Sequence, residues 1–372
     1  DFFANIPCWE GIMVKKRLCG QTLTELEDLI GQLGEPRYRA RQIYEWIYRR
    51  GAADFAQMTD LPGRLRSLLQ ETAQVGLPTV IKQQLDPNDL TVKLLLELAD
   101  KQSVEAVLMQ YSNRDFSRDR LTGCISSQVG CPVGCPFCAT GQGGFIRNLE
   151  AGEIVGQVIA LRQETLKSAN ISVEGLNIVF MGMGEPLLNY AEVLKSIRLL
   201  HDPKGLDISL RRLTLSTAGV VPRIYQLARE ELPVNLAVSL HAPNNDLRNR
   251  LVPLNRRYPL EELIPACRKY FESSKRRVTF EYILLNQVND AEDLAQELAL
   301  RLKGLPALVN LIPANPTNGA EQRPSQARIS SFTRILKARG LEVTLREGRG
   351  GNIAAACGQL RGMNCQAQTV KT

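Results

Sequence analysis

Residues 176–186, Leu-Asn-Ile-Val-Phe-Met-Gly-Met-Gly-Glu-Pro, decide how the chain folds. The run Leu176 to Met181 is short, almost wholly apolar and without polar alternation, which suits a strand buried on both faces rather than a half-solvated one. Such strands belong to a parallel sheet wrapped by helices. The following Gly-Met-Gly-Glu-Pro turns the chain at the strand's carboxyl end, where its glycines let backbone approach a ligand and Glu185 offers a carboxylate to an ammonium group.

Working outward, the same character recurs. Arg212 to Ser216, Asn235 to Leu240 (NLAVSL), Thr279 to Leu285 and Leu308 to Ile312 read as further strands, and a first strand falls near Cys124 to Val129. Helical periodicity fills the intervals at 149–167, 190–200, 221–230, 260–273, 290–302 and 325–339. This predicts an α/β fold of about six βα units, a partial (βα)6 barrel over 121–348, with its site at the carboxyl ends of the strands.

Upstream, Thr22 to about Gln74 reads as helical and defines a small N-terminal domain, 22–78. Thr22 and Glu25 form a capping box, Leu23, Leu26, Leu29, Ile30 and Leu33 an apolar stripe, and Gly34 and Pro36 a stop. In the next helix, Arg37 to Arg50, the aromatics read as core and the arginines as an RNA-facing surface. Alternating stretches Thr91 to Leu98 and Val104 to Met109 form a β linker unit, 79–120, ending in a charged surface loop, Ser112 to Arg120. Residues 1–21 read as a clipped or flexible arm without the apolar run of a signal peptide. Residues 349–372 form a C-terminal segment.

Lysine and arginine number 46 against 39 acidic residues in 372, a net charge of +7 that favours a polyanionic partner such as RNA. No run approaches the roughly 20 apolar residues that span a bilayer. Nine cysteines, an odd number unevenly spread, argue against a secreted disulfide framework and for metal or redox chemistry in a reducing cytoplasm. Only two histidines, His201 and His241, are present, which excludes a His-rich metal site.

Cys131, Cys135 and Cys138 in GCPVGCPFCATGQGGFIRN follow the predicted first strand and precede a helix that Asn148 would cap. Three close thiolates suit an iron–sulfur cluster with one open iron; a zinc knuckle completed by Cys124 or a distant Cys or His is the alternative. Ser216 and Thr217 in TLSTAG, Ser239 and His241 in SLHAPN, and Asn315 in IPANP recur at successive strand ends, which suggests a shared ligand.

The C-x3-C-x2-C spacing, with Phe137 before the last cysteine, together with Gly184-Glu185-Pro186, resembles the radical S-adenosylmethionine superfamily. The resemblance implies a 4Fe-4S cluster held by Cys131, Cys135 and Cys138. Its open iron would chelate S-adenosylmethionine and the reduced cluster would cleave it to a 5′-deoxyadenosyl radical. Contacts to S-adenosylmethionine would come from Gly184, Glu185, Ser216, Ser239, Leu240, His241 and Asn315.

SQVGCPVGCPFCATGQGGFIRNL, MGMGEPLLN, LSTAGVVP, SLHAPN, LIPANP and AACGQL together resemble the RlmN adenosine C2 methyltransferases, over roughly residues 22–362. The related Cfr group, which methylates C8, shares the cysteine chemistry. The resemblance implies action on 23S rRNA and on tRNA at the adenosine 3′ of the anticodon, with two S-adenosylmethionine molecules consumed per methyl group. Cys357 would carry the methyl group, Cys124 would resolve the covalent RNA adduct by forming a disulfide, and Glu105 in SVEAVLM would accept the C2 proton. A flavodoxin or ferredoxin would supply electrons to a monomer. The reading from another class is a zinc-stabilised RNA-binding protein without catalysis.

Overall fold

The computed structural model describes residues 15–111, 120–167, 175–230, 232–315, 322–346 and 348–362. The predicted loop before Arg120, most of the N-terminal arm and the last ten residues of the C-terminal segment lie outside them.

The chain opens with β1 (Lys16–Arg17), α1 (Leu23–Gln32), α2 (Tyr38–Tyr48), α3 (Gly63–Thr72) and β2 (Ala73–Gln74). The predicted capping box is formed: the Thr22 hydroxyl accepts from Glu25 N–H, and the Glu25 carboxylate accepts from Thr22 N–H at 2.7 Å. In α2, Tyr44 and Tyr48 are core, as their spacing predicts, and the Tyr44 hydroxyl donates to Asp202 Oδ2 at 2.8 Å. Tyr38 is exposed instead, with the Arg39 guanidinium over its ring.

Next come β3 (Thr79–Asp86), β4 (Thr91–Glu97), β5 (Ser103–Tyr111), β6 (Arg120–Cys124), β7 (Gln128–Gly130), α4 (Ala139–Gln142), β8 (Phe145–Asn148) and α5 (Ala151–Lys167). Alternation then sets in: β9 (Asn177–Phe180), α6 (Tyr190–His201), β10 (Leu213–Thr217), α7 (Val221–Leu227), β11 (Asn235–Ser239), α8 (Asn245–Leu251), α9 (Leu260–Ser274), β12 (Val278–Leu284), α10 (Glu292–Arg301), β13 (Ala307–Pro313), α11 (Gln326–Ala338) and β14 (Glu342–Leu345).

One sheet carries the fold, in the order β14-β13-β12-β11-β10-β9-β6-β5-β4-β3. From β6 to β14 all pairings are parallel, and β3, β4 and β5 add to the same sheet antiparallel. The predicted β linker strands are therefore continuous with the barrel sheet. Apolar side chains such as Ile178, Phe180, Leu215, Leu236, Val238, Phe280 and Val309 are buried, which is why these strands read as unbroken apolar runs.

Three expectations change. The first barrel strand ends at Cys124 rather than beginning there, because Gly123 and Cys124 pair with Ile178 and Val179 while Gln128–Gly130 turns away to pair with β8. Asn148 does not cap α5: it lies in β8 and accepts from Gln128 Nε2 at 2.8 Å, and the Glu150 N–H donates to Glu153 Oε2 at 3.0 Å. The edge strand β14 escapes the sequence pattern because Glu-Val-Thr-Leu is short, polar and largely exposed.

Candidate active site

The cysteine loop follows β7 at the carboxyl ends of the parallel strands. Its three thiols, Cys131, Cys135 and Cys138, line one open cleft of about 890 Å³, together with Gly184, Glu185, Ser216, Ser239 and His241. Eight of the predicted cluster and S-adenosylmethionine positions thus meet there. Burial pushes the Cys131 thiol up to about 12 and raises Cys135 well above the usual thiol range, so cationic iron would be needed to hold them as thiolates. Among the described residues no three ligand side chains converge on a single-ion position. Three thiols of one short loop lining the cleft suit a cluster with one open iron.

The Gly-Glu-Pro loop is held from beneath. At Gly184, φ is +105° and an added Cβ would lie 2.7 Å from Gln128 Cβ, so only glycine fits. The Gln128 Oε1 accepts from Glu185 N–H at 2.8 Å. The buried Glu185 carboxylate accepts from Ala218 N–H at 2.6 Å and Leu187 N–H at 3.0 Å. Burial raises its pKa to about 7 despite those hydrogen bonds. A neutral carboxyl holds an ammonium group less strongly than a carboxylate does, so an ammonium ligand at Glu185 would favour loss of that proton. Affinity for S-adenosylmethionine is therefore expected to rise through neutrality, by about tenfold per pH unit below the carboxyl pKa. Glu185→Gln should flatten the profile, as read by anaerobic titration calorimetry between pH 6 and 8.

His241 is buried with φ +60°, and its Nδ1 accepts from Ile283 N–H at 3.0 Å. Burial, and then the nearby Arg248 charge, lowers its pKa to about 3, so the ring is neutral with its proton on Nε2. The Phe137 ring stands edge-on to it at 5.1 Å, tying the cysteine loop to the end of β11.

Leu240 does not reach the cleft. Its side chain is fully buried and it serves through its backbone, with N–H donating to Glu281 O and C=O accepting from Arg248. Asn315 lines an adjoining cavity of about 640 Å³ instead, and its Nδ2 donates to Cys357 O at 3.4 Å. This second cavity holds Cys124 and Cys357 and shares Cys138, Met181, Gly182 and Arg346 with the cleft.

The segment bearing Cys357 is stapled over the cysteine loop. Ala139 N–H donates to Gly358 O at 2.7 Å and the Thr140 hydroxyl to Leu360 O at 2.6 Å. On its other side Glu105 Oε2 accepts from Arg361 N–H at 2.7 Å, while Glu105 Oε1 pairs with Lys93 Nζ at 3.1 Å. Sheet register explains the grouping: Lys93, Val107 and Cys124 are opposite one another across β4, β5 and β6, and Glu105 lies two residues from Val107 on the same face. Glu105 thus anchors the tail and does not line either cavity.

Cys124 is buried, and burial with the neighbouring Cys357 pushes its thiol up to about 12, opposed by the charge of Arg346. Arg346 directs its guanidinium at the sulfurs of Met181 and Met109, 3.8 and 3.9 Å away. Glu281, in the cleft wall, accepts from Asn310 Nδ2 at 2.8 Å and was not predicted. A single carboxylate inside the apolar run Val278 to Leu285 was the available signal. Lys93 in VKLLLE is the same kind of clue.

A parallel partial barrel whose mouth holds a three-cysteine loop beside a Gly-Glu-Pro loop defines a radical S-adenosylmethionine enzyme. Residues 125–298 match the Radical SAM superfamily, and residues 16–75 match the ribosomal RNA large subunit methyltransferase N-terminal domain. The solved structure of a radical SAM methyltransferase from Sphaerobacter thermophilus superposes with a TM-score of 0.88 at 49% identity, over 93% of this chain and 99% of that one. A probable dual-specificity RNA methyltransferase RlmN from Syntrophomonas wolfei is 48% identical over 93% of this chain and 97% of its own length. The dual-specificity RNA methyltransferase RlmN from Halorhodospira halophila is 50% identical over 93% of each. The chain belongs to the RlmN family of radical SAM methyltransferases. Among the described residues no helix is long and apolar enough to cross a membrane.

Proposed function

We propose that the chain methylates carbon 2 of adenosine in 23S rRNA and in tRNA, at the adenosine 3′ of the anticodon, with two S-adenosylmethionine molecules consumed per methyl group. The observation that carries this reading is the placing of Cys124 and Cys357 in one cavity that shares the Cys138 wall with the cluster cleft. The names of the relatives, dual-specificity RNA methyltransferases, supply the substrate class.

Carbon 2 of adenine is electron-poor and does not attack a methyl sulfonium, so the protein must supply the methyl group in another form. Cys131, Cys135 and Cys138 would hold the 4Fe-4S cluster, with Glu185, Ser216, Ser239 and His241 around S-adenosylmethionine; together these groups supply a methyl donor and a carbon-centred radical. Cys357, as a thiolate, displaces the methyl group onto its own sulfur. Cys357 lines both cavities, so an S-methyl group on it would face the cluster cleft on one side and a base in the second cavity on the other. After hydrogen abstraction the Cys357 methylene carbon bonds to C2 and tethers the RNA, and the adduct returns one electron to the redox centre that the three cysteines would hold. The adduct then gives up its C2 proton, and the Cys124 thiolate attacks the Cys357 sulfur, forming a disulfide as the carbon–sulfur bond breaks and the freed carbon takes up a proton to complete the methyl group.

The base must be unstacked to enter, at a cost of a few kcal/mol. The protein acts in the reducing cytoplasm as a monomer, with an external electron donor such as flavodoxin or ferredoxin. Mapping radiolabel from methyl-labelled S-adenosylmethionine on total RNA tests the reading. Label on C2 of adenosine in 23S rRNA and tRNA is expected; label on C8 would move the chain to Cfr chemistry, and a colourless zinc protein that transfers no label would refute the enzyme reading.

A further inference from the structure

Arg248 is the largest side chain with no exposed surface, at 0%. It lies on α8, and its guanidinium donates from Nε to Leu240 O at 3.0 Å, from Nη1 to Asn255 Oδ1 at 2.7 Å, and from Nη2 to Ala218 O at 2.7 Å and Ser239 O at 3.0 Å. Every one of these partners is a neutral oxygen. A full charge with no water contact and no carboxylate is costly to bury, by several kcal/mol after relaxation. Structural tasks alone would be met by a neutral donor, so the charge calls for an anion close by.

Its surroundings identify that anion. Leu247 and Leu251 of α8 form one apolar cluster with Val133, Phe137 and Ala218, and Cys131, Cys135 and Cys138 pack against that cluster. Burial works against the Arg248 charge, and the nearby Cys135 is the first of the groups that oppose that effect. The guanidinium therefore sits at the β10 and β11 ends, on a helix whose Leu247 and Leu251 pack in the same cluster as the cysteine loop. Three thiolates around a four-iron core carry net negative charge, and reduction adds one more.

The hydrogen bonds point at the same site from the other side. Ala218 follows the end of β10, Ser239 ends β11 and Leu240 follows it, so one planar fork holds the ends of two adjacent strands. Those ends present Ser216, Ser239 and His241 to the cleft. The Ala218 peptide links Arg248 to the ligand loop, since its C=O accepts from Arg248 while its N–H donates to Glu185.

We infer that Arg248 is a positioning residue with two tasks: its fork sets the β10 and β11 ends that receive S-adenosylmethionine, and its charge favours the reduced state of the cluster. This rests on the cluster and S-adenosylmethionine part of the proposed function and not on the RNA chemistry. A fixed buried cation near a cluster raises its reduction potential, because it stabilises the more negative state. Lysine keeps the charge but lacks the planar fork, so the two tasks separate by substitution.

The test uses the full chain, reconstituted anaerobically, without RNA. Midpoint potential is read by spectroelectrochemical titration and S-adenosylmethionine affinity by calorimetry. Arg248→Gln is expected to move the potential to more negative values and to weaken S-adenosylmethionine binding by about tenfold or more. Arg248→Lys is expected to keep the wild-type potential and still lose affinity. A Gln variant with native iron content and an unchanged potential overturns the electrostatic task, and a Lys variant with wild-type affinity overturns the positioning task. Should the Gln variant not fold, the Lys variant and Asn255→Ala decide, because both keep the charge and a shifted potential in either counts against the inference. A wild-type chain that takes up no iron would instead sink the cluster reading itself.

Discussion

Cys124→Ala is expected to accumulate protein covalently bound to RNA, whereas Cys357→Ala forms no adduct and no methylated product. The two cysteines line one cavity, but of the two only Cys357 also lines the cluster cleft, so on the proposed scheme its sulfur would both receive the methyl group and face the RNA. Without it nothing enters the covalent sequence. Cys124 is buried at the end of β6 and reaches the cavity from the sheet side, as a thiol that attacks Cys357 from behind would. Losing it leaves the earlier steps intact and removes the exit. The adduct is read as a nuclease-sensitive, slower-migrating band in denaturing gels. Methylation intact in both variants, with adduct in neither, would refute the two-cysteine scheme.

Lys93→Met is expected to lower stability by about 3–5 kcal/mol, because it strands the Glu105 charge in a dry environment. Both side chains are about a tenth exposed, at 9% and 10%, and their ion pair spans 3.1 Å between β4 and β5. The loss reaches the site as well. Lys93 Nζ donates to Ala354 O at 3.2 Å and Glu105 accepts from Arg361 N–H, so the pair clamps the tail on both sides of Cys357. Adding Glu105→Gln removes the stranded charge and should recover a large part of the stability, as a denaturant-based double-mutant cycle would report. A Lys93→Met protein within 1 kcal/mol of wild type would show that the pair does not hold the tail.

Much of the site was legible because its chemistry is local in sequence. Cys131, Cys135 and Cys138 fall in one short loop, Gly184 and Glu185 directly follow an apolar strand, and Ser216 and Ser239 end two others. Strand-end position alone brings such residues together in a parallel sheet, whatever their spacing. Leu240 and Asn315 share that position yet miss the cleft. Whether a strand-end side chain points into the mouth or into the core depends on the turn that follows, as the positive φ of His241 illustrates. Glu105 was read as a base from its motif, but only the sheet register revealed that Lys93 and the tail already occupy its oxygens. Arg248 gave no sequence signal beyond being one of two arginines in NDLRNRL, since burial of a charge is a property of packing.

The sequence by itself determined the parallel α/β sheet, through apolar runs punctuated by helical periodicity, and the cysteine loop with its vacant coordination position. Both are consequences of local pattern and side-chain chemistry. Only the tertiary structure decided that Cys357 lies between two cavities, that Cys124 opens onto the second, and that Arg248 sits buried at the β10 and β11 ends. Each of these depends on contacts between segments far apart in the chain, and such contacts exist only once the sheet has fixed its register and the tail has docked on it.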